Sequence, residues 1–144
     1  YLVEFNVRMG DPECQTILPL LKNDLCEIFF SCCTGKLSET TIRLHDEKSI
    51  CIVVCSKGYP ENYKKNSEIS QLNKLSFKNN EYIFHAGTKL KDNKILNSGG
   101  RVLNFVAVSN NLKKSREGLI KLIKRLDWKD GFFRKDIAYK VIDT

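Results

Sequence analysis

The sequence predicts an α+β chain in two parts: a strand followed by short helices over residues 1–44, and a small sheet unit with one amphipathic helix over 45–144. Three observations carry this. Residues 1–9 alternate polar and apolar side chains with the period of a strand. Three apolar runs, "ICIVVCS", "EYIFHAGT" and "RVLNFVAVS", are separated by turn-rich segments. Finally, "NNLKKSREGLIKLIKRL" repeats its apolar residues at helical spacing.

Taken in order, the first strand puts Val3, Phe5 and Val7 on one face and Glu4, Asn6 and Arg8 on the other. Asp11-Pro12-Glu13 reads as a helix start, with Asp11 as N-cap, Pro12 at the first helical position and an acid in the first turn. Pro19 ends that short helix or begins another. Asn23 can cap a second helix over roughly 24–34, whose stripe is Leu25, Ile28, Phe29 and Cys32 and which Gly35 terminates. "SETTIRLHDEKS" is a polar connection to the "ICIVVCS" strand, and "KGYPENYKKN" is an exposed turn. "KLKDNKILNSGG" reads as a turn-rich link between the next two strands. In the amphipathic helix, Leu112, Leu119, Leu122, Ile123 and Leu126 form the apolar stripe. "FFRKDIAYK" closes the chain.

The 144 residues suffice for a real core without staples. With 42% hydrophobic and 28% charged residues the composition is that of a soluble globular protein, and no apolar run is long enough to span a membrane. No leader is visible, and the missing initial Met leads us to expect sequence upstream. The net charge of +7 raises nucleic acid as a partner, but the lysines are scattered among acids, so a solvated basic surface or an anionic small substrate is the expectation. Six cysteines at positions 14, 26, 32, 33, 51 and 55 form no C-x-x-C pair, and His45 and His85 lie far from ligand spacing. The cysteines read as free, small buried hydrophobes in a reducing compartment.

Chemistry concentrates at the first strand. Glu4 and Asn6 can present oxygen donors to one small volume, which suits Mg²⁺ held with phosphates and water, and Arg8 can meet a carboxylate or phosphate on the same face. An ordinary half-exposed polar strand face has the same pattern. In "NSGGRVL", Gly99 and Gly100 precede Arg101, where backbone N–H groups and a guanidinium could receive an anion such as a ribose 5-phosphate; a tight hairpin turn is the alternative. His85 is expected to be a buried histidine satisfied by hydrogen bonds, with no catalytic role.

"EFNVRMGDPECQ" resembles the metal-binding strand of the phosphoribosylamine–glycine ligases (glycinamide ribonucleotide synthetases), ATP-grasp enzymes of purine biosynthesis. "LPLLKNDL", "GYP", "FHAGTKL", "GGRVL" and "FRKDI" follow in that family's order, so the resemblance runs over essentially the whole chain. Met9, "GYPENY" and Ala138 depart from its usual residues without removing a ligand. The resemblance implies the end of an ATP-grasp domain over 1–44, then a C-terminal domain over 45–144 with a small mixed, barrel-like sheet. It implies Mg²⁺ (or Mn²⁺) on Glu4 and Asn6, and substrate at Arg8, Gly10, Asp11, Gly99, Gly100 and Arg101.

The implied reaction is ATP-dependent joining of glycine to 5-phosphoribosylamine in the cytoplasm. The glycine carboxylate attacks the γ-phosphate of ATP, and the amine of phosphoribosylamine displaces phosphate from the resulting acyl phosphate. The nucleotide-binding lysines, glycine-rich loop and upstream acidic ligand of that family are not in these residues. The chain alone is therefore expected to be inactive, with an N-terminal portion as its partner. Another ATP-grasp ligase or carboxylase would share Glu4 and Asn6 but not "GDPE" or "FHAGT". A nucleic-acid-binding module would need basic and aromatic residues clustered on strands, whereas the aromatics here lie mostly in apolar contexts. An inactive fragment kept folded by its own core is the remaining rival.

Overall fold

The computed structural model of the chain describes residues 1–3, 5 and 7–142. The expected strand over 1–9 is not formed at the described residues, which are irregular. A strand is held by pairing, and no described residue pairs with this segment; Val3 and Val7 stand 93% and 98% exposed.

Helix α1 (Glu13–Ile17) follows, with Pro12 rather than Asp11 at the N-cap and no side-chain cap. The Asp11 carboxylate is engaged elsewhere. A 3-10 turn at Leu18–Leu20 carries Pro19 near its start. Helix α2 (Leu25–Cys33) is capped by Asp24, which accepts from the N–H groups of Cys26 and Glu27, and not by Asn23. Asn23 instead ties the chain to a later segment, donating to Thr41 O and accepting from Arg43 N–H at 3.0 and 2.7 Å. Gly35, at φ +72°, ends the helix as expected. The expected stripe of α2 is not buried, however: Phe29 and Phe30 are 58% and 70% exposed, and Cys26, Cys32 and Cys33 are exposed too. Buried cysteines were expected here. None of the six is fully buried: Cys26, Cys32 and Cys33 lie on an α2 with no buried residue, and Cys14, Cys51 and Cys55 are half-buried.

The remainder is built on a four-stranded sheet ordered β2-β5-β1-β6 from β1 (Lys48–Ser56), β2 (Glu81–His85), β5 (Arg101–Ser109) and β6 (Gly131–Phe132). Every pairing in it is antiparallel and the sheet is open, so the mixed, barrel-like sheet expected is corrected. No two consecutive strands are neighbours in it, and each long connection returns its strand antiparallel to its neighbour. "KLKDNKIL" is not a loose turn but a hairpin of β3 (Thr88–Lys91) and β4 (Lys94–Asn97). Its two-residue turn, Asp92-Asn93, has both residues at positive φ, as such hairpin turns require.

Alternation sorts the sheet's two faces. Ile50, Ile52 and Val54 of β1 stand opposite Ala107, Phe105 and Leu103 of β5 and share one face. Helix α3 (Leu112–Arg125) covers that face with Leu119, Leu122 and Ile123, joined by Leu126 just beyond its end. Asn111 caps α3 through Lys114 N–H at 2.9 Å. Helix α1 lies against β1 and β5 on the other side, and α4 (Tyr139–Ile142) is the last element among the described residues. β5 is consequently buried on both faces over most of its length.

A buried polar knot ties the loops to this sheet. Asn97, wholly buried, donates to Ser56 Oγ at 2.9 Å and to Lys64 O at 2.6 Å, and accepts from Ser67 N–H at 2.7 Å. Ser67 Oγ in turn donates to Asp130 and accepts from Trp128 Nε1. The ion pair and hydroxyl at Asp130 hold its carboxyl below the usual range, with Ser67 the larger cause and Lys64 the next. This contribution is present above the unfolded carboxyl pKa and fades as pH falls through the lowered folded value.

Two substitutions test this packing. Leu119→Ala, at a wholly buried site, should cost about 2–5 kcal/mol in urea unfolding. Gly100→Ala should also destabilise, because its Cβ would lie 2.0 Å from Tyr59 Cδ2; unchanged midpoints would contradict these contacts.

Candidate functional site

A cleft of about 750 Å³ opens between the Arg8–Gln15 segment and the outer face of β2. Arg8, Gly10, Asp11 and Arg101, predicted as site residues from two distant stretches of sequence, all line it. Local bonds shape the turn: Gly10 N–H donates to Glu13 Oε2 at 2.8 Å, and Cys14 N–H to Gly10 O at 2.9 Å. Arg8 donates to Met9 O at 2.9 Å.

Arg101 binds this turn to the sheet. Its Nη1 donates to Asp11 O at 2.8 Å and its Nη2 pairs with Asp11 Oδ2 at 3.4 Å, while Gln15 Nε2 donates to Asp11 Oδ1 at 2.9 Å. Both charged side chains remain a third or more exposed, so the pair is worth at most about 1 kcal/mol; its value is positional. The cleft therefore carries guanidinium and carboxylate side by side, a polarity suited to a ligand bearing both an anion and an amine.

Gly99 and Gly100 do not line the cleft. Gly99 N–H donates to Gly87 O at 3.2 Å, and a Cβ at Gly99 would lie 3.1 Å from Gly87 Cα. Gly100 O accepts from Ser56 N–H at 2.7 Å. These glycines allow close chain approach, to Gly87 and to Tyr59. His85 is exposed, not buried as expected; it borders the cleft, and its Nδ1 shares a 2.8 Å hydrogen bond with Thr88 Oγ1. Glu4 and Asn6, the expected metal ligands, lie outside the described residues. Among the described residues no group of three or more His, Cys, Asp or Glu is placed to hold a metal.

Sequence reasoning missed Tyr82, Phe84 and Gln15. Tyr82 and Phe84 stack with centroids 6.3 Å apart and 22° between planes, and both face the cleft. Their alternation with Ile83 was readable; which face would be open was not. Beneath α1, burial pushes the Cys51 thiol up to about 12, and the Asp11 charge adds to it. Cys55 is also raised by burial, against an opposing pull from Arg101.

The fold is that of a small mixed α/β domain with an open cleft lined by charged side chains. A family model described as "Phosphoribosylglycinamide synthetase, C domain" matches residues 49–140, and the chain belongs to that family. It is 43% identical over 95% of its length to a phosphoribosylamine–glycine ligase of Caldanaerobacter subterraneus subsp. tengcongensis, covering 32% of that protein. It is 42% identical over 98% of its length to a trifunctional purine biosynthetic protein of Gallus gallus, covering 14% of it. The solved phosphoribosylamine–glycine ligase of Thermotoga maritima superposes with a TM-score of 0.69 at 26% identity, over 96% of this chain and 33% of that one. The chain thus spans about a third of the length of most of these relatives and corresponds to their C-terminal part.

Thiol chemistry reports the burial directly. In native protein near pH 8, Cys51 should alkylate about 10²-fold more slowly than exposed Cys26, Cys32 and Cys33, since its thiolate is scarce. Mass-spectrometric mapping of a timed iodoacetamide reaction measures this, and equal rates would contradict the packing of α1 on β1.

Proposed function

We propose that the chain is the C-terminal portion of an ATP-dependent ligase that joins glycine to 5-phosphoribosylamine, giving glycinamide ribonucleotide, ADP and phosphate in purine biosynthesis. Similarity to such ligases over 95% of the chain carries this reading. The cleft supports it, because predicted substrate residues from two distant stretches of the chain meet there. In this reading residues 1–44 end the ATP-grasp domain and 45–144 form the C-terminal domain; the family match beginning at residue 49 supports that division. The location is cytoplasmic, in keeping with free thiols and with the absence, among the described residues, of a helix long and apolar enough to cross a membrane.

Arg8 and Arg101 bind anionic groups of the substrates, and Asp11 orients Arg101 and offers a carboxylate to an amine. Gly10 keeps the turn close, and Gly99 and Gly100 bring Arg101 to the cleft. Glu4 and Asn6 supply the hard oxygen donors that suit Mg²⁺ or Mn²⁺. When bound, the metal offsets the charge that builds on the transferring phosphoryl group. The upstream portion contributes the remainder of the ATP site.

The test compares this chain alone with the complete enzyme. Glycine- and phosphoribosylamine-dependent ADP formation should be absent with the isolated chain and appear when the upstream portion is supplied. Turnover by the isolated chain, or none by the complete enzyme, would overturn the proposal. In the complete enzyme Glu4→Gln should lower kcat by at least about 10²-fold and weaken Mn²⁺ binding, read by water-proton relaxation.

A further inference from the structure

We infer that Gln15 is a positioning residue for the ligase reaction: acting through Asp11, it holds Arg101 in the orientation that receives a substrate anion. This rests on the ligase reading above and names a group that touches no substrate itself. Gln15 lies in α1, four residues after Asp11, so the two side chains meet across one helical turn. Its Nε2 donates to Asp11 Oδ1 at 2.9 Å, while Asp11 Oδ2 pairs with Arg101 Nη2 at 3.4 Å and Asp11 O accepts from Arg101 Nη1 at 2.8 Å. The two carboxylate oxygens are thus divided, one to the amide and one to the guanidinium.

Arg101 does not hold this pose by itself. Its side chain is 44% exposed, and fixing a long exposed guanidinium costs rotamer freedom. Asp11 supplies the anchor, yet the last torsion of a carboxylate is soft, and this one is a third exposed. The Gln15 amide removes that freedom by binding one oxygen, which leaves the other turned to Arg101. Helix α1 rests on β1 and on β5, the strand that begins at Arg101, so both ends of the relay are anchored to the same sheet. Donation to a carboxylate also fixes the amide, since the reversed amide would set oxygen against oxygen.

The same orientation separates positioning from stability. It leaves Gln15 Oε1 buried with no hydrogen-bond partner among the described residues, and a buried unpaired carbonyl oxygen is destabilising. Methionine has nearly the same length and shape. It removes that oxygen and also the bond to Asp11. For folding, Gln15→Met is therefore neutral or favourable, whereas for the orientation of Arg101 it is a loss.

Steady-state kinetics and urea unfolding of the complete enzyme test the relay. Arg101→Met should raise the KM of one substrate at least about tenfold. Gln15→Met should raise that same KM about fivefold, change kcat by less than about twofold, and leave the urea midpoint unchanged or higher. Added to Arg101→Met, it should raise the KM by less than about twofold more, because the group it positions is already gone. Unaltered KM values in either single variant, a rise confined to a substrate that Arg101→Met does not affect, full additivity of the two changes, or a urea midpoint that falls as the KM rises would each overturn the role. The ligase reading fails on a different measurement, the absence of glycine-dependent ADP formation by wild type with phosphoribosylamine.

Discussion

The β1–β5 ladder contains one irregularity on which the site depends. Val54 pairs with Leu103, but Cys55 pairs with Arg101, so Val102 is an extra residue in β5. Directly opposed residues share a face, and a bulge shifts that phase by one. Without it, Arg101 would follow the phase of Leu103 and point into the core beneath α3. With it, Val102 joins the core and Arg101 turns to the face where Asp11 waits. The bulge also places Gly100 against Tyr59 and lets Ser56 reach Gly99 O at 2.8 Å.

From that bulge the N-terminal turn gains its attachment. The segment before α1 makes no strand among the described residues, and α1 is only five residues long, too short to hold itself. What fixes it is the contact of α1 with β1 and β5 together with the two bonds from Arg101 to Asp11. Core, bulge, arginine and turn form one chain of dependence, and the cleft is the space left at its end. The raised pKa values of Cys51 and Cys55 follow from the same packing, since both thiols lie on the sheet face that α1 shields.

Helix α2 is the complementary case. Its cap, length and terminating glycine are well formed, yet Phe29 and Phe30 remain open. Local signals suffice to make a helix, and burial requires a second surface. The proposed N-terminal portion would be the natural source of that surface, in keeping with a chain that spans a third of its relatives.

Much was legible in the residues. The β1, β2 and β5 runs, the stripe of α3 and the break at Gly35 follow from periodicity and backbone preference, which are local properties. The β3–β4 hairpin was available in Asp92-Asn93 but was masked by its polar composition. Arg8, Asp11 and Arg101 could be named from their chemistry, yet nothing local says that residues 90 positions apart share an ion pair. Which face of β2 stays open, that Tyr82 and Phe84 line the cleft, and that Gly99 lies against Gly87 were settled by long-range pairing. A strand's alternation defines two faces, but only its neighbours, and here a single extra residue in one of them, determine which face meets solvent, core or ligand.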